Sequence, residues 1–277
     1  MPSPLPVADA DLAQALIPLA RRAGDAILDI YRGDFEVLEK ADTSPVTAAD
    51  HAAEAIILEG LKGLTPDIPI VAEEEMAAGR LPELGEGAFW LVDPLDGTKE
   101  FIKRRDSFTV NIGLVDATPA GHLPRLGVVL APALDLLYVG HGPGTARLIS
   151  GGAERPIACR QPPAEGLTVL ASRSHGDPTE LDRFLAPYKV AEIINAGSSL
   201  KFCRLAEGVG DLYPRLGPTS EWDTAAAHAV LMAAGGSVTT LDGKPFTYGK
   251  GPTFLNPPFV AKAYYQPTMR GTHRRLV

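Results

Sequence analysis

The segment Phe89-Trp90-Leu91-Val92-Asp93-Pro94-Leu95-Asp96-Gly97-Thr98 constrains this chain more than any other stretch of it. An apolar strand runs straight into a tight turn that holds two carboxylates three residues apart. Pro94 fixes one backbone dihedral, and Gly97 permits a left-handed conformation or the close approach of a ligand to the backbone. Such a turn can aim both carboxylates, and the Leu95 carbonyl between them, at one point. Hard oxygen ligands on a rigid turn suit magnesium, which takes near-octahedral oxygen coordination at about 2.0–2.1 Å. Pro-Leu-Asp-Gly is also the composition of an ordinary surface turn, so taken alone the segment leaves both readings open.

Two further acidic elements have the same double character. Ile70-Val71-Ala72-Glu73-Glu74-Glu75 is a strand ending in three glutamates, which in isolation reads as a solvated acidic run. Ser220-Glu221-Trp222-Asp223-Thr224-Ala225-Ala226 places an aspartate where a helix begins, and a negative charge there is favourable whatever its role.

Around these elements the periodicity alternates. Leu12, Leu16, Leu19, Ala23, Ile27 and Ile30 recur at helical spacing, with Pro18 expected to kink or restart the helix. A second helix is expected from Ala48 to about Leu61, entered through Thr47-x-x-Asp50 as a capping box. Strands are expected at 68–72, 88–92, 108–114, 126–130 and 136–139, with Phe108, Val110, Ile112 and Leu114 on one face. The Gly- and Pro-rich stretch 141–163 reads as the boundary between two halves, 1–150 and 151–277. After it, strand-like LTVLAS and KVAEII alternate with helical patterns at 181–185, 199–207 and 223–234, which suggests an α/β second half.

Composition narrows the function. Hydrophobic residues make up 45% and charged residues 22%, as in globular proteins with a buried core. A formal net charge of −8 argues against a general nucleic-acid binder, while a small anionic substrate stays open because bound divalent metals reverse the local sign. The run Lys103-Arg104-Arg105 reads as a solvated loop face. Two cysteines, Cys159 and Cys203, read as free thiols of a reduced, cytoplasmic protein. No stretch approaches about 18 uninterrupted apolar residues, so no transmembrane segment is expected, and peripheral attachment at the inner membrane is left open.

The Glu-Glu pair after a strand, then D-P-L-D-G-T-K-E-F, then W-D-T-A-A opening a late helix, resemble the inositol monophosphatase superfamily in order and separation over nearly the whole chain. The resemblance implies an α/β layered sandwich (α+β in the broad sense), the fold of inositol monophosphatases and fructose-1,6-bisphosphatases, with the site between the halves. It implies that Glu73, Asp93, Asp96 and Asp223, with the Leu95 carbonyl, bind two or three catalytic magnesium ions. It further implies that Asp50 and Thr98 orient and deprotonate the attacking water, and that Glu74 supports catalysis from behind Glu73. An aspartyl-phosphate mechanism needs D-x-D, and the spacing here is D-x-x-D.

Within that superfamily, Thr98-Lys99-Glu100-Phe101 looks like the bisphosphate nucleotidases, as do Ser44 to Asp50, Ser172-Arg173-Ser174-His175, Gly197 to Phe202 and Tyr213-Pro214-Arg215. The implied activity is hydrolysis of 3'-phosphoadenosine 5'-phosphate to AMP and phosphate, with the phosphosulfate as a second substrate and lithium as an inhibitor. Gly97, Thr98, His175, Gly197, Ser198, Lys201, Arg215 and Asp223 are then expected to contact substrate. Gly197-Ser198-Ser199 entering a helix offers amides and hydroxyls to an anion, though a plain serine N-cap beside a solvated lysine has the same sequence. An inositol monophosphatase or broad sugar-phosphate phosphatase, and a non-catalytic nucleotide or metal sensor, remain alternatives. The sequence leaves the oligomeric state unknown.

Overall fold

The computed structural model describes residues 7–40, 45–172 and 178–264. Helix α1 (Asp9–Arg32) leads through β1 (Val37–Glu39) and β2 (Pro45–Thr47), an antiparallel pair, into α2 (Ala48–Leu64). Pro18 neither ends nor restarts α1, which runs through it without interruption. It lies on the exposed side of the helix, where the carbonyl it leaves unbonded can meet water instead of the core. The capping box forms as expected: Asp50 accepts hydrogen bonds from the Thr47 backbone and hydroxyl, both at 2.8 Å.

A seven-stranded sheet follows in chain order: β3 (Ile70–Ala72), β4 (Phe89–Asp96), β5 (Thr109–Thr118), β6 (Gly121–Ala131), β7 (Leu136–Gly140), β8 (Arg147–Ser150) and β9 (Ala153–Pro156). Only β3 and β4 run parallel; the other pairs are antiparallel. Short helices α3 (Glu73–Ala77) and α4 (Thr98–Ile102) leave the ends of β3 and β4. The hairpin β8–β9 occupies part of the stretch read from sequence as a Gly- and Pro-rich boundary. Its turn residues Gly151 and Gly152 both have positive φ, 56° and 77°, which is what a tight two-residue hairpin turn requires.

The second sheet has the order β11-β10-β12-β14-β13, from β10 (Leu167–Ser172), β11 (Val190–Ala196), β12 (Leu212–Arg215), β13 (Ser237–Thr240) and β14 (Phe259–Lys262). Helices α5 (Pro178–Leu185), α6 (Leu200–Ala206) and α7 (Ala225–Ala233) are interleaved with its strands, and β10 pairs in parallel with β11 and β12.

Three apolar clusters stack these elements into layers. Leu12, Leu16 and Ile27 of α1 and Ile57 and Leu61 of α2 pack on one face of the first sheet, against the predicted row Phe108, Val110, Ile112 and Leu114. The sheet's other face, α6, α7 and the inner face of the second sheet share a cluster with Leu91, Phe202, Val230 and Phe259. Leu185 of α5 joins Val169, Leu212 and Val260 on the outer side. The result is helices, sheet, helices, sheet, helix, the layered α/β sandwich expected from the sequence. Cys159 and Cys203 are free, and Cys203 is buried in the central layer.

The central layer depends on a row of glycines. Gly113 pairs with Gly127 across β5 and β6, and Gly127 pairs with Gly140 across β6 and β7. Helix α7 lies directly on this row with its alanine face. A methyl added at Gly127 would stand 2.0 Å from the Ala226 carbonyl oxygen, and one at Gly113 would stand 2.7 Å from the Ala226 nitrogen. Since the clash is with backbone, no rotamer change relieves it. Gly127→Ala is expected to lower stability by about 3 kcal/mol in urea unfolding. Gly63→Ala, in α2 with open space around its Cβ, should instead raise it by about 0.5–1 kcal/mol.

His228 of α7 is fully enclosed, with Nδ1 2.9 Å from the Tyr248 hydroxyl. Burial, with Lys250 nearby, holds its pKa down to about 3. Below the ordinary histidine value of 6.5 the unfolded chain takes up a proton that the native state refuses. The stability that neutral His228 contributes is therefore present above pH 6.5 and lost as pH falls toward 3. Each pH unit in that window costs about 1.4 kcal/mol. Urea midpoints at pH 7 and 5 are expected to fall further apart for the wild type than for His228→Gln, and equal gaps would refute the assignment.

Candidate active site

A cleft of about 420 Å³ opens where the end of β4, the start of α6 and the approach to α7 meet. Glu73, Asp93, Leu95, Asp96, Gly97, Thr98, Gly197, Ser198, Lys201, Arg215 and Asp223 all line it. Asp50 and Glu74 lie just behind its wall, 1% and 4% exposed. His175 lies outside the described residues.

The β4 turn is shaped by a register shift. Asp93 pairs with Asn111 and Asp96 with Thr109, so Pro94 and Leu95 bulge out between them. The Leu95 side chain is buried and anchors the bulge in the core. Asp93 Oδ1 accepts the Leu95 backbone N–H at 2.9 Å, and Gly97 adopts the left-handed φ of 96° that lets α4 begin at once. The Thr98 hydroxyl then lies 3.3 Å from both the Leu95 carbonyl and Asp50 Oδ1. Asp50 thus uses one oxygen to cap α2 and turns the other to Thr98.

The three glutamates separate at the start of α3, and the reading of a solvated acidic run does not hold for them as a group. Glu73 faces the cleft, Glu74 is buried, and Glu75 pairs with Arg80 at 2.7 Å. Lys40 bridges the first two, 2.7 Å from Glu73 and 2.6 Å from Glu74. Glu54 of α2 accepts the Glu74 N–H at 2.9 Å. Burial raises the Glu54 and Glu74 carboxyls to about 7. Neither Lys40 nor Glu54 was marked by sequence reasoning, since each looks like an ordinary charged residue until the fold encloses it.

Asp223 sits two residues before α7 and accepts the Ser220 N–H at 2.9 Å. The approach is clamped by Glu221 and Asn256. Glu221 is fully buried and accepts Gly249 N–H, Lys250 N–H and Lys250 Nζ at 2.7–2.8 Å. The Asn256 amide donates to the Ser220 carbonyl at 2.7 Å and to the Thr219 and Thr224 hydroxyls at 3.1 Å.

On the opposite wall, the plain reading of a serine N-cap with a solvated lysine fails. Ser199 occupies the N-cap position without a side-chain cap bond, and its hydroxyl goes to Asn111 instead. Lys201 is 3% exposed and donates to the Ser198 carbonyl at 2.5 Å, its ammonium 5.2 Å from the Tyr213 ring centre. Burial lowers its pKa to about 8, against the pull of Asp96. Arg215 holds the Gly217 and Pro218 carbonyls at 3.3 and 2.8 Å. Away from the cleft, Lys103, Arg104 and Arg105 are exposed, in line with a solvated loop face, and the Arg104 guanidinium lies over Phe35 with 4.6 Å to the ring centre.

The carboxylates of the cleft raise one another. Burial, then Glu73, Asp96 and Asp223, hold the Asp93 carboxyl well above its ordinary value. Burial, then Asp96 and Glu73, do the same to Asp223, and burial lifts Asp96 to about 6. A purely oxygen donor set with strong mutual repulsion has the chemistry of a hard divalent cation site. Among the described residues no group of three or more His, Cys, Asp or Glu side chains stands in a metal-holding arrangement.

The sequence model of the inositol monophosphatase family matches residues 9–270. The protein named 3'(2'),5'-bisphosphate nucleotidase CysQ in Escherichia coli O6:H1 is 48% identical over 248 residues, 89% of this chain and 97% of that protein. The protein of the same name in Salmonella typhimurium LT2 is 47% identical over 255 residues, covering 91% of this chain and all of the relative. Among solved structures, CysQ from Bacteroides thetaiotaomicron superposes with a TM-score of 0.76 at 37% identity, over 92% of this chain and 98% of that one.

Proposed function

The chain belongs to the inositol monophosphatase family, and within it we propose a magnesium-dependent 3'(2'),5'-bisphosphate nucleotidase. Its reaction is 3'-phosphoadenosine 5'-phosphate plus water to AMP plus phosphate. The observation that carries the chemistry is the convergence of Glu73, Asp93, Asp96, Asp223 and Thr98 on one cleft. Near-half identity to proteins named for the nucleotidase activity, over almost their full length, supports the branch.

The Glu73, Asp93, Asp96 and Asp223 carboxylates and the Leu95 carbonyl would hold two or three magnesium ions. Magnesium supplies neutralisation of phosphoryl charge and activation of water. Thr98 and Asp50 handle the proton. The Thr98 hydroxyl donates to Asp50, so its oxygen is free to accept a hydrogen from the attacking water. As the water attacks, its proton passes to Thr98 Oγ1 while the hydroxyl proton moves to Asp50 Oδ1. Burial raises the Asp50 carboxyl, which makes it a better proton acceptor than an exposed aspartate.

Glu74 keeps Lys40 beside Glu73 and so orients that carboxylate. Gly97, without a side chain, leaves the backbone of the turn open to the phosphoryl group. Gly197, Ser198, Lys201 and Arg215 on the opposite wall face the rest of the nucleotide, and His175 belongs to this set by sequence. No described helix is long and apolar enough to cross a membrane.

Phosphate release from 3'-phosphoadenosine 5'-phosphate and from inositol 1-phosphate, with magnesium and with chelator, tests this reading. Release is expected from the nucleotide, magnesium-dependent and about 100-fold lower in Asp96→Asn. Preference for inositol 1-phosphate would overturn the substrate. No release from either, in folded protein that binds magnesium, would overturn the activity.

A further inference from the structure

Behind the Asp96 turn lies a closed polar chain that links the first sheet to the start of α6. Thr109 and Asn111 of β5 are fully buried, and Ser199 at the start of α6 is 2% exposed. Thr109 and Asn111 share the strand face that carries Gly113, the side turned to α7. Ser199 comes from the other half of the chain, so these three residues meet only when the two sheets dock.

The hydrogens in this chain have one direction. The Ser199 hydroxyl donates to Asn111 Oδ1 at 2.7 Å, which uses its only proton. Thr109 must then be the donor in its 2.9 Å contact with Ser199 Oγ. Asn111 Oδ1 being an acceptor, its amide nitrogen faces Asp96 Oδ2 at 3.4 Å, and the Ser199 backbone N–H reaches the same oxygen at 2.6 Å. Every donor leads toward Asp96, and both bonds fall on one of its two oxygens. Oδ1 accepts neither of them, and Asp96 lines the cleft.

We propose that Asn111 is a positioning residue for the phosphatase reaction. Its amide fixes which oxygen of Asp96 turns away from the cleft, and its carbonyl holds Ser199. The Asp93–Asp96 turn and the Gly197–Lys201 segment are thereby set as one unit. Asn111 does not itself line the cleft. The inference rests on the nucleotidase reading above, and it predicts that a residue touching neither ligand governs both cation affinity and nucleotide KM.

The rival explanation is packing alone, and Asn111→Asp separates the two. Aspartate has nearly the shape of asparagine but replaces the donor facing Asp96 with an acceptor. At pH 8, Asn111→Asp is expected to weaken magnesium binding by calorimetry about 10-fold or more and to raise KM for the nucleotide, with both losses larger than in Asn111→Ala. If packing is the whole role, the order reverses: Asn111→Asp behaves like wild type and Asn111→Ala is the weaker enzyme, which overturns the proposal.

Should Asn111→Asp fail to fold, the cycle of Ser199→Ala with Asn111→Ala decides. Losses in magnesium affinity that overlap in the double variant support one unit, and strictly additive losses overturn it. A wild-type chain without magnesium-dependent release removes the premise, and the proposal falls with it.

Discussion

Mutual repulsion among buried carboxylates sets the terms for the rest of this molecule. Asp93, Asp96 and Asp223 each have a carboxyl raised by burial, and Asp93 and Asp223 are raised further by their acidic neighbours. Left to themselves, such groups would turn away or pull the loops that carry them apart. Each is instead tied to backbone: Asp93 to the Leu95 N–H, Asp96 to the Ser199 N–H, Asp223 to the Ser220 N–H. A backbone amide is a donor that cannot swing out of the way, so these bonds fix direction as well as offsetting part of the burial cost.

The same economy recurs one layer out. The carboxylate that caps α2 also faces Thr98, and Lys40, just after β1, bridges Glu73 and Glu74. Glu221 gathers three donors from the 249–250 segment and so holds the loop that presents Asp223. Rigidity at the cleft therefore comes from residues that are charged yet enclosed. Removing Lys40, for example, would leave the Glu74 carboxylate buried without its cation.

The sequence made the periodic elements and the turn chemistry legible, because those depend on neighbours in the chain. The row Phe108, Val110, Ile112 and Leu114, the capping box at Thr47 and Asp50, and the alternation after residue 163 all follow from local rules. The candidate site residues that the sequence marks are those on sharp local signals, such as Asp93 and Asp96 on a Pro- and Gly-bounded turn. Lys40, Asn111, Glu221 and Asn256 carry no such signal. Their partners lie 15 to 36 residues away or more, and a lone asparagine in a strand looks like any other until the second half of the chain arrives. Pro18 misled for a related reason: its effect on α1 depends on which side of the helix meets water, and that is decided by packing.

The contact of α7 with the first sheet has a further consequence for how the molecule can vary. One side of it is glycine, and the atoms of α7 that an added methyl would meet at Gly127 are backbone, so trimming a side chain of the helix makes no room there. An enlargement on one side cannot be matched by a reduction on the other, as it can where leucine meets valine. The floor beneath Asp223 is fixed by this backbone contact, whereas the opposite wall and the rim are built from side chains of every size. A relative with a different taste in phosphate esters would have to acquire it from the rim, on an unchanged floor.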